Sequence, residues 1–176
     1  MSARTVLHEA DISRALTRIA HEILESNRGA DGLVLLGIPT RGTTLAERLG
    51  PLISGIAQVD IPVGSLDVTL FRDDLAKHPT RSPKRTEIPA GGIDGKTVVL
   101  VDDVLFSGRS IRAALDALQS IGRPAVVRLA ILVDRGHREL PIRPDFVGKN
   151  IPSARSERVN VHLREIDGAD EVTIEA

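Results

Sequence analysis

Val98-Val99-Leu100-Val101-Asp102-Asp103-Val104-Leu105-Phe106-Ser107-Gly108-Arg109-Ser110 is the stretch that decides how the chain is read. An apolar run leads into two adjacent carboxylates, then a hydroxyl-bearing glycine turn, then the helical spacing Ile111, Ala114, Leu115, Leu118. This is the pattern of a buried strand that ends in a loop and feeds a helix N-terminus. The first amides of a helix have no intrahelical acceptor, and the helix dipole adds partial positive charge there. A phosphate would fit, with Ser107 and Ser110 as further donors. Asp102 and Asp103, where the strand ends, are placed to accept hydrogen bonds from a vicinal diol or to hold a hydrated Mg²⁺. Simple helix capping by the same residues remains the competing reading of this spacing.

The 176 residues, 41% hydrophobic and 27% charged, suffice for one core and predict a single domain over 1–176. A net charge of −1 creates no global field toward nucleic acid, although a local basic face is compatible with it. The absence of cysteine excludes disulfides and thiolate ligands. No leader or membrane-length apolar run stands out, so a cytoplasmic protein without membrane contact is the expectation. With three Phe and no Trp or Tyr, stacking of single-stranded bases on an aromatic platform is disfavoured, and any RNA contact must rely on arginine.

Outward from the central stretch, further segments carry chemistry. Ile12, Leu16, Ile19, Ile23 and Leu24 predict an amphipathic helix over 11–27, whose other face shows Arg14, Thr17, Arg18 and His21. Such a set is ordinarily a solvated face. Leu33 to Ile38 predicts a buried strand entering Gly37-Ile38-Pro39-Thr40-Arg41-Gly42-Thr43-Thr44 and a short helix through Leu49. The G-x-x-x-x-G spacing is not a nucleotide P-loop, because Thr43 stands where lysine is required. It still offers exposed amides and the cation Arg41, suited to a diphosphate. Ile61 to Phe71 reads as a strand. Residues 72–96 lose periodicity and predict a long flexible lid loop whose Arg81, Lys84 and Arg85 could close over an anion. Val126 to Val133 predicts another strand, which would bring Asp134 and Arg135 beside Asp102 and Asp103 at one sheet edge. The remainder, with short strands at Val159 to Leu163 and Glu171 to Ile174, reads as a small hood over 134–176.

The central thirteen residues resemble the 5-phosphoribosyl-1-pyrophosphate (PRPP) signature of the type I phosphoribosyltransferases. That resemblance implies an α/β fold with a central, mostly parallel sheet flanked by helices. It also implies that Val104, Leu105, Phe106, Ser107, Gly108, Arg109 and Ser110 contact PRPP around its 5′-phosphate, that Asp102 and Asp103 hold the ribose hydroxyls and Mg²⁺, and that Thr40 and Arg41 meet the pyrophosphate. Purine-specific members place an acid where this chain has Phe106, so the resemblance favours a pyrimidine. Leu16 to Glu22, Gly37 to Gly42, Asp67 to Leu75 and Leu132 to Arg143 narrow the likeness to the PyrR family of bacterial pyrimidine-operon attenuation regulators. This implies binding of pyr operon leader mRNA with UMP or UTP as effector, conversion of uracil and PRPP to UMP and pyrophosphate, and a homodimer or higher homo-oligomer. The resemblance assigns RNA contact to Thr17, His21, Arg138 and Arg143, with Arg14 and Arg18 alongside. Arg135 and Val159, with Val133, are candidates for the base pocket by position. A plain salvage enzyme for uracil or another nucleobase, and a non-catalytic nucleotide-binding subunit, are the competing readings.

Overall fold

The computed structural model describes residues 2–74 and 85–176. Its elements run β1 (Arg4–Leu7), α1 (Glu9–Asn27), β2 (Leu33–Gly37), α2 (Arg41–Ala57), β3 (Val63–Ser65), β4 (Thr97–Leu105), α3 (Arg109–Gln119), β5 (Val126–Asp134), β6 (Phe146–Asn150), β7 (Arg158–His162), α4 (Arg164–Asp167) and β8 (Glu171–Glu175). Five strands form a parallel sheet in the order β3-β2-β4-β5-β6. A second, antiparallel sheet has the order β1-β8-β7.

The central strand β4 is buried on both faces because helices cover both. Val99 and Val101 pack with Ile12, Ile19, Leu45 and Ile53 of α1 and α2, whereas Val98 and Leu100 pack with Ile111, Ala114 and Leu118 of α3. The two-residue period of a strand divides one apolar run between two half-cores. β4 pairs with β2 only as far as Gly37 against Val101, yet it stays paired with β5 to Leu105 against Asp134. Asp102 and Asp103 therefore lie inside the strand, where its β2 side is already open, and not after its end.

Several sequence expectations are corrected. α2 runs past Leu49 to Ala57, through Pro51. Pro51 removes only the hydrogen bond to the carbonyl of Glu47, on the exposed side, while Leu45, Leu49 and Ile53 bury the other face. The strand expected over Ile61 to Phe71 is confined to Val63–Ser65. Asp67 Oδ1 accepts from Thr69 Oγ1 at 2.8 Å and from Thr69 N–H at 3.3 Å, and this local turn leads into a 3₁₀ turn at Thr69–Phe71. The small sheet recruits Arg4–Leu7 from outside 134–176, while Phe146–Asn150, inside that range, is an edge strand of the main sheet. Both were missed because each buries a single residue, so neither carries a strong apolar pattern. Arg81 and Lys84 lie outside the described residues; Arg85 is exposed and meets Glu87 at 3.7 Å. Among the described residues no helix is long and apolar enough to cross a membrane.

Gly42, in the first turn of α2, lies directly against the backbone of the central strand. A Cβ there would lie 2.4 Å from the Val101 carbonyl oxygen. Gly42→Ala should force α2 off β4 and lower stability by about 1–3 kcal/mol, read by urea denaturation.

Candidate active site

Two strand-to-helix turns and the open flank of β4 enclose adjoining cavities. One, of about 570 Å³, lies between Thr40-Arg41, Asp67 to Thr69 and the Asp102-Asp103 pair. The other, of about 280 Å³, lies over Phe106 to Ile111 with Arg72, Asp73 and Asp74 opposite. Arg72, Val104 and Ser110 line both. The parallel sheet causes this convergence, since β2 and β4 deliver their carboxyl ends to the same edge.

The turn before α3 is shaped by Gly108, at φ +93°, in the left-handed region that glycine tolerates. A Cβ on it would approach Ile142 Cγ1 to 3.0 Å. The Ser107 carbonyl accepts from Glu139 N–H at 2.9 Å and Leu140 N–H at 3.1 Å, so the segment after β5 braces the turn. Intrahelical bonding starts with Arg112 N–H to Gly108 O, 3.0 Å, which leaves the Ser110 and Ile111 amides ahead of the first such bond. Arg109 points sideways, donating to Asp73 at 2.7 Å and Glu139 at 3.0 Å, and Glu139 also pairs with Arg155.

Asp102 is 9% exposed and accepts from Asp103 N–H at 2.9 Å, while Asp103 Oδ1 accepts from Val104 N–H at 2.8 Å. Burial, then the neighbouring Asp103 carboxylate, push the Asp102 carboxyl well above the usual carboxylate range. Across the cavity, Arg41 is turned toward the small sheet, with Nε 3.2 Å and Nη2 2.7 Å from the Asp167 carboxylate. Among the described residues no three acidic or imidazole side chains cluster as a ready-made metal site. Two adjacent carboxylates on a cavity wall nevertheless suit a cation that keeps most of its waters and takes further oxygens from a substrate.

Arg135 is buried beside the second cavity, its guanidinium 4.2 Å from the centre of the Phe106 ring. Its Nη2 donates to Ala154 O at 2.9 Å, and its buried Nε has no hydrogen-bond partner among the described residues. Burial lowers the Arg135 pKa. His137 meets Phe106 edge-on at 5.9 Å. Val159, in β7, packs against the main core and lines neither cavity. Asp134 is bound to Arg138 at 2.6 Å.

Arg14, Thr17, Arg18 and His21 share one exposed face of α1. Arg18 also donates to the carbonyls of Val147, 3.1 Å, and Gly148, 2.6 Å, tying that face to β6. Arg138 instead turns inward, donating to Ile142 O, Phe106 O and Asp134, so it braces the segment that carries it. Arg143 is exposed, but its neighbour Ile142 packs with the α3 half-core, on the sheet face opposite α1. Lys149, missed in the sequence, joins Arg14 and Arg18 around a cleft of about 300 Å³ beside β6. Asp167 was missed too; only the fold places it against Arg41.

Because folded Asp102 keeps its proton to higher pH than the unfolded chain does, the folded state binds the excess proton above the ordinary value, and stability falls as pH rises. Asp102→Asn removes that dependence. Relative to the parent, its melting temperature should climb from about pH 4 toward neutrality; thermal unfolding at stepped pH reads the difference, and a constant offset would contradict it.

The phosphoribosyl transferase domain family matches residues 2–165. "Bifunctional protein PyrR" of Leifsonia xyli subsp. xyli is 68% identical over 181 residues, covering 99% of this chain and 98% of that protein. Its namesake from Streptomyces coelicolor is 64% identical, covering 99% and 90%. Among solved structures, a hypoxanthine-guanine phosphoribosyltransferase of Bacillus anthracis superposes with a TM-score of 0.73 over 98% of both chains at 17% identity. The hypoxanthine phosphoribosyltransferase of Trypanosoma cruzi, in complex with IMP, gives 0.73 over 98% and 93% at 16% identity. At those identities the likeness establishes the fold alone. With a type I phosphoribosyltransferase fold, the signature loop after β4 and 64–68% identity to PyrR proteins over nearly the whole chain, this chain belongs to the PyrR family.

Proposed function

We propose that this protein binds the leader of pyr operon mRNA in response to UMP or UTP, and that it also transfers the phosphoribosyl group of PRPP to uracil, releasing UMP and pyrophosphate. The observation that carries the enzymatic half is the pair of adjoining cavities with an acid pair on one wall and a helix N-terminus in each. PRPP is itself a ribose with a 5′-phosphate at one end and a diphosphate at the other. The turn Ser107 to Ser110 takes the 5′-phosphate on backbone amides and hydroxyls. Asp102 and Asp103 take the ribose hydroxyls, and Thr40 with Arg41 takes the diphosphate. The kinship with the bifunctional PyrR proteins carries the regulatory half.

In the transfer, the bond from C1′ to the pyrophosphate oxygen breaks, a bond from C1′ to N1 of uracil forms, and the N1 proton passes to the departing pyrophosphate or to water. Positive charge grows at C1′ and negative charge on the leaving diphosphate. Arg41 counters the latter, the acid pair lies near the former, and the anchored 5′-phosphate restricts the ring to a reactive orientation. Asp102 and Asp103 would hold a hydrated Mg²⁺, which when bound supplies further neutralisation of the diphosphate. Phe106 offers an apolar surface for a pyrimidine, and Arg135, held by Ala154 O through Nη2 but without a partner at Nε among the described residues, lies against that ring as a donor toward a ring carbonyl.

For RNA, the α1 face of Arg14, Thr17, Arg18 and His21 is the principal contact, extended by Lys149, with Arg143 beyond the β6 edge. Arginines and a helix without aromatics suit phosphates and base edges of a folded hairpin. The protein acts in the cytoplasm as a homodimer or higher homo-oligomer, a reading that rests on family resemblance.

The decisive experiment titrates pyr leader RNA, with and without UMP, at two salt concentrations, against a scrambled RNA of equal length. UMP-dependent binding that rejects the scramble supports the regulator; weak, salt-sensitive, sequence-indifferent binding reduces the protein to a salvage phosphoribosyltransferase. Replacing Thr17 and His21 together by alanine should weaken leader binding about tenfold or more while sparing uracil turnover. Arg41→Ala should do the converse, lowering kcat by roughly a hundredfold or more in steady-state assays and leaving RNA affinity intact.

A further inference from the structure

Arg41 and Arg48 lie two helical turns apart on one side of α2, and both reach α4. Arg48 donates to Glu165 at 2.6 and 3.0 Å and to Asp170 at 2.8 and 2.9 Å. Those four bonds clasp α4 and the turn that follows it to α2 without involving Arg41. Asp167 closes α4, and its Oδ2 accepts from Leu163 N–H at 2.8 Å, so its carboxylate is oriented by its own helix. Arg41 presents to it the Nε–Nη2 edge of the guanidinium, at 3.2 and 2.7 Å. A guanidinium has two such forked edges. The Nη1 side keeps no hydrogen-bond partner among the described residues, and Arg41 lines the 570 Å³ cavity together with Thr40, Asp102 and Asp103.

We propose that Asp167 is a positioning residue for phosphoribosyl transfer: by holding the Nε–Nη2 edge of Arg41, it aims the adjoining Nη1–Nη2 end at the diphosphate of the incoming substrate. The inference rests on the reading of Arg41 as the diphosphate cation. A diphosphate offers paired oxygens that match a fork only when the fork is correctly turned. An unheld arginine would have to surrender its rotamer freedom at binding, which weakens the complex. Arg48 explains why the small sheet can supply this brace, since the clasp keeps α4 in place whether or not Arg41 is engaged.

The test is calorimetric titration of PRPP with Mg²⁺, of inorganic pyrophosphate and of UMP into the parent, Asp167→Asn and Glu165→Gln proteins. The asparagine has one acceptor oxygen for three N–H groups and turns an NH₂ toward cations. Asp167→Asn should weaken PRPP and pyrophosphate by roughly tenfold or more and leave UMP, which has no diphosphate, unchanged. The KM for PRPP should rise while that for uracil stays. Glu165→Gln removes one of the two carboxylate partners of Arg48, while Asp170, which also accepts from Arg164 N–H, still holds α4 in place; it should leave all three affinities as in the parent.

Unchanged or tighter PRPP binding in Asp167→Asn, parallel loss of UMP, or the same loss in Glu165→Gln would overturn the proposal. If Asp167→Asn fails to fold, Arg41→Lys decides the matter: it keeps the charge but lacks the fork, so it should lose PRPP affinity as Asp167→Asn was expected to, and undiminished affinity overturns aiming. Where both variants fold, the double variant should lose no more than either single one. A parent that binds neither PRPP nor pyrophosphate overturns the phosphoribosyltransferase reading together with this inference, whereas normal binding by parent and variant alike overturns the inference alone.

Discussion

The rest of the structure depends on the unequal pairing of β4. Its β5 side is hydrogen-bonded to Leu105, but its β2 side is released after Val101. A strand paired on both sides would bury Asp102 and Asp103 in a sheet; an unpaired one would leave them without a rigid backbone. Half-pairing keeps the backbone fixed while opening one flank to a cavity. The raised pKa of Asp102 is the electrostatic consequence, because the strand carries a carboxyl to a depth where its charge is poorly solvated. Stability is given up there to place a carboxyl on the cavity wall.

Around that strand, arginines set the geometry of the loops. Arg138 braces the segment after β5 against the Phe106 carbonyl and Asp134, Arg109 joins Asp73 to Glu139, and Arg48 fastens α4 to α2. Several of these pairs are substantially exposed, and exposed ion pairs contribute about 0–1 kcal/mol each. Their value is positional. Forked, two-point contacts define direction as well as distance, and a site assembled from separate loops needs direction.

The α1 face and the cavity-lined edge of the sheet are mechanically distinct regions of one fold. α1 packs on the sheet through Ile12, Leu16, Ile19 and Ile23; on its outer face Arg18 ties it to β6, whereas, among the described residues, Arg14 and Thr17 bond only to Asp11 and Ser13 of α1 itself. A change on that outer face need not disturb β4. Arg143 reaches solvent from the other side of the sheet, so the positions that family resemblance groups together flank the β6 edge instead of forming one continuous patch on a single face.

By itself the sequence determined the strand-loop-helix unit at Val98 to Leu118, the buried strands β2 and β5 and the amphipathic α1, and it singled out the acid pair and Arg41, which the fold brings to the wall of one cavity. These are legible because burial on both faces, helical periodicity and glycine turns leave strong local marks. Tertiary structure alone decided that β1 joins β8, that Phe146–Asn150 closes the main sheet, that Arg138 faces inward, that Val159 packs into the core, and that Asp167 meets Arg41. Edge strands bury too little to show an apolar pattern. An ion pair between residues 126 positions apart depends on how two sheets are clasped, and no local pattern encodes that distance.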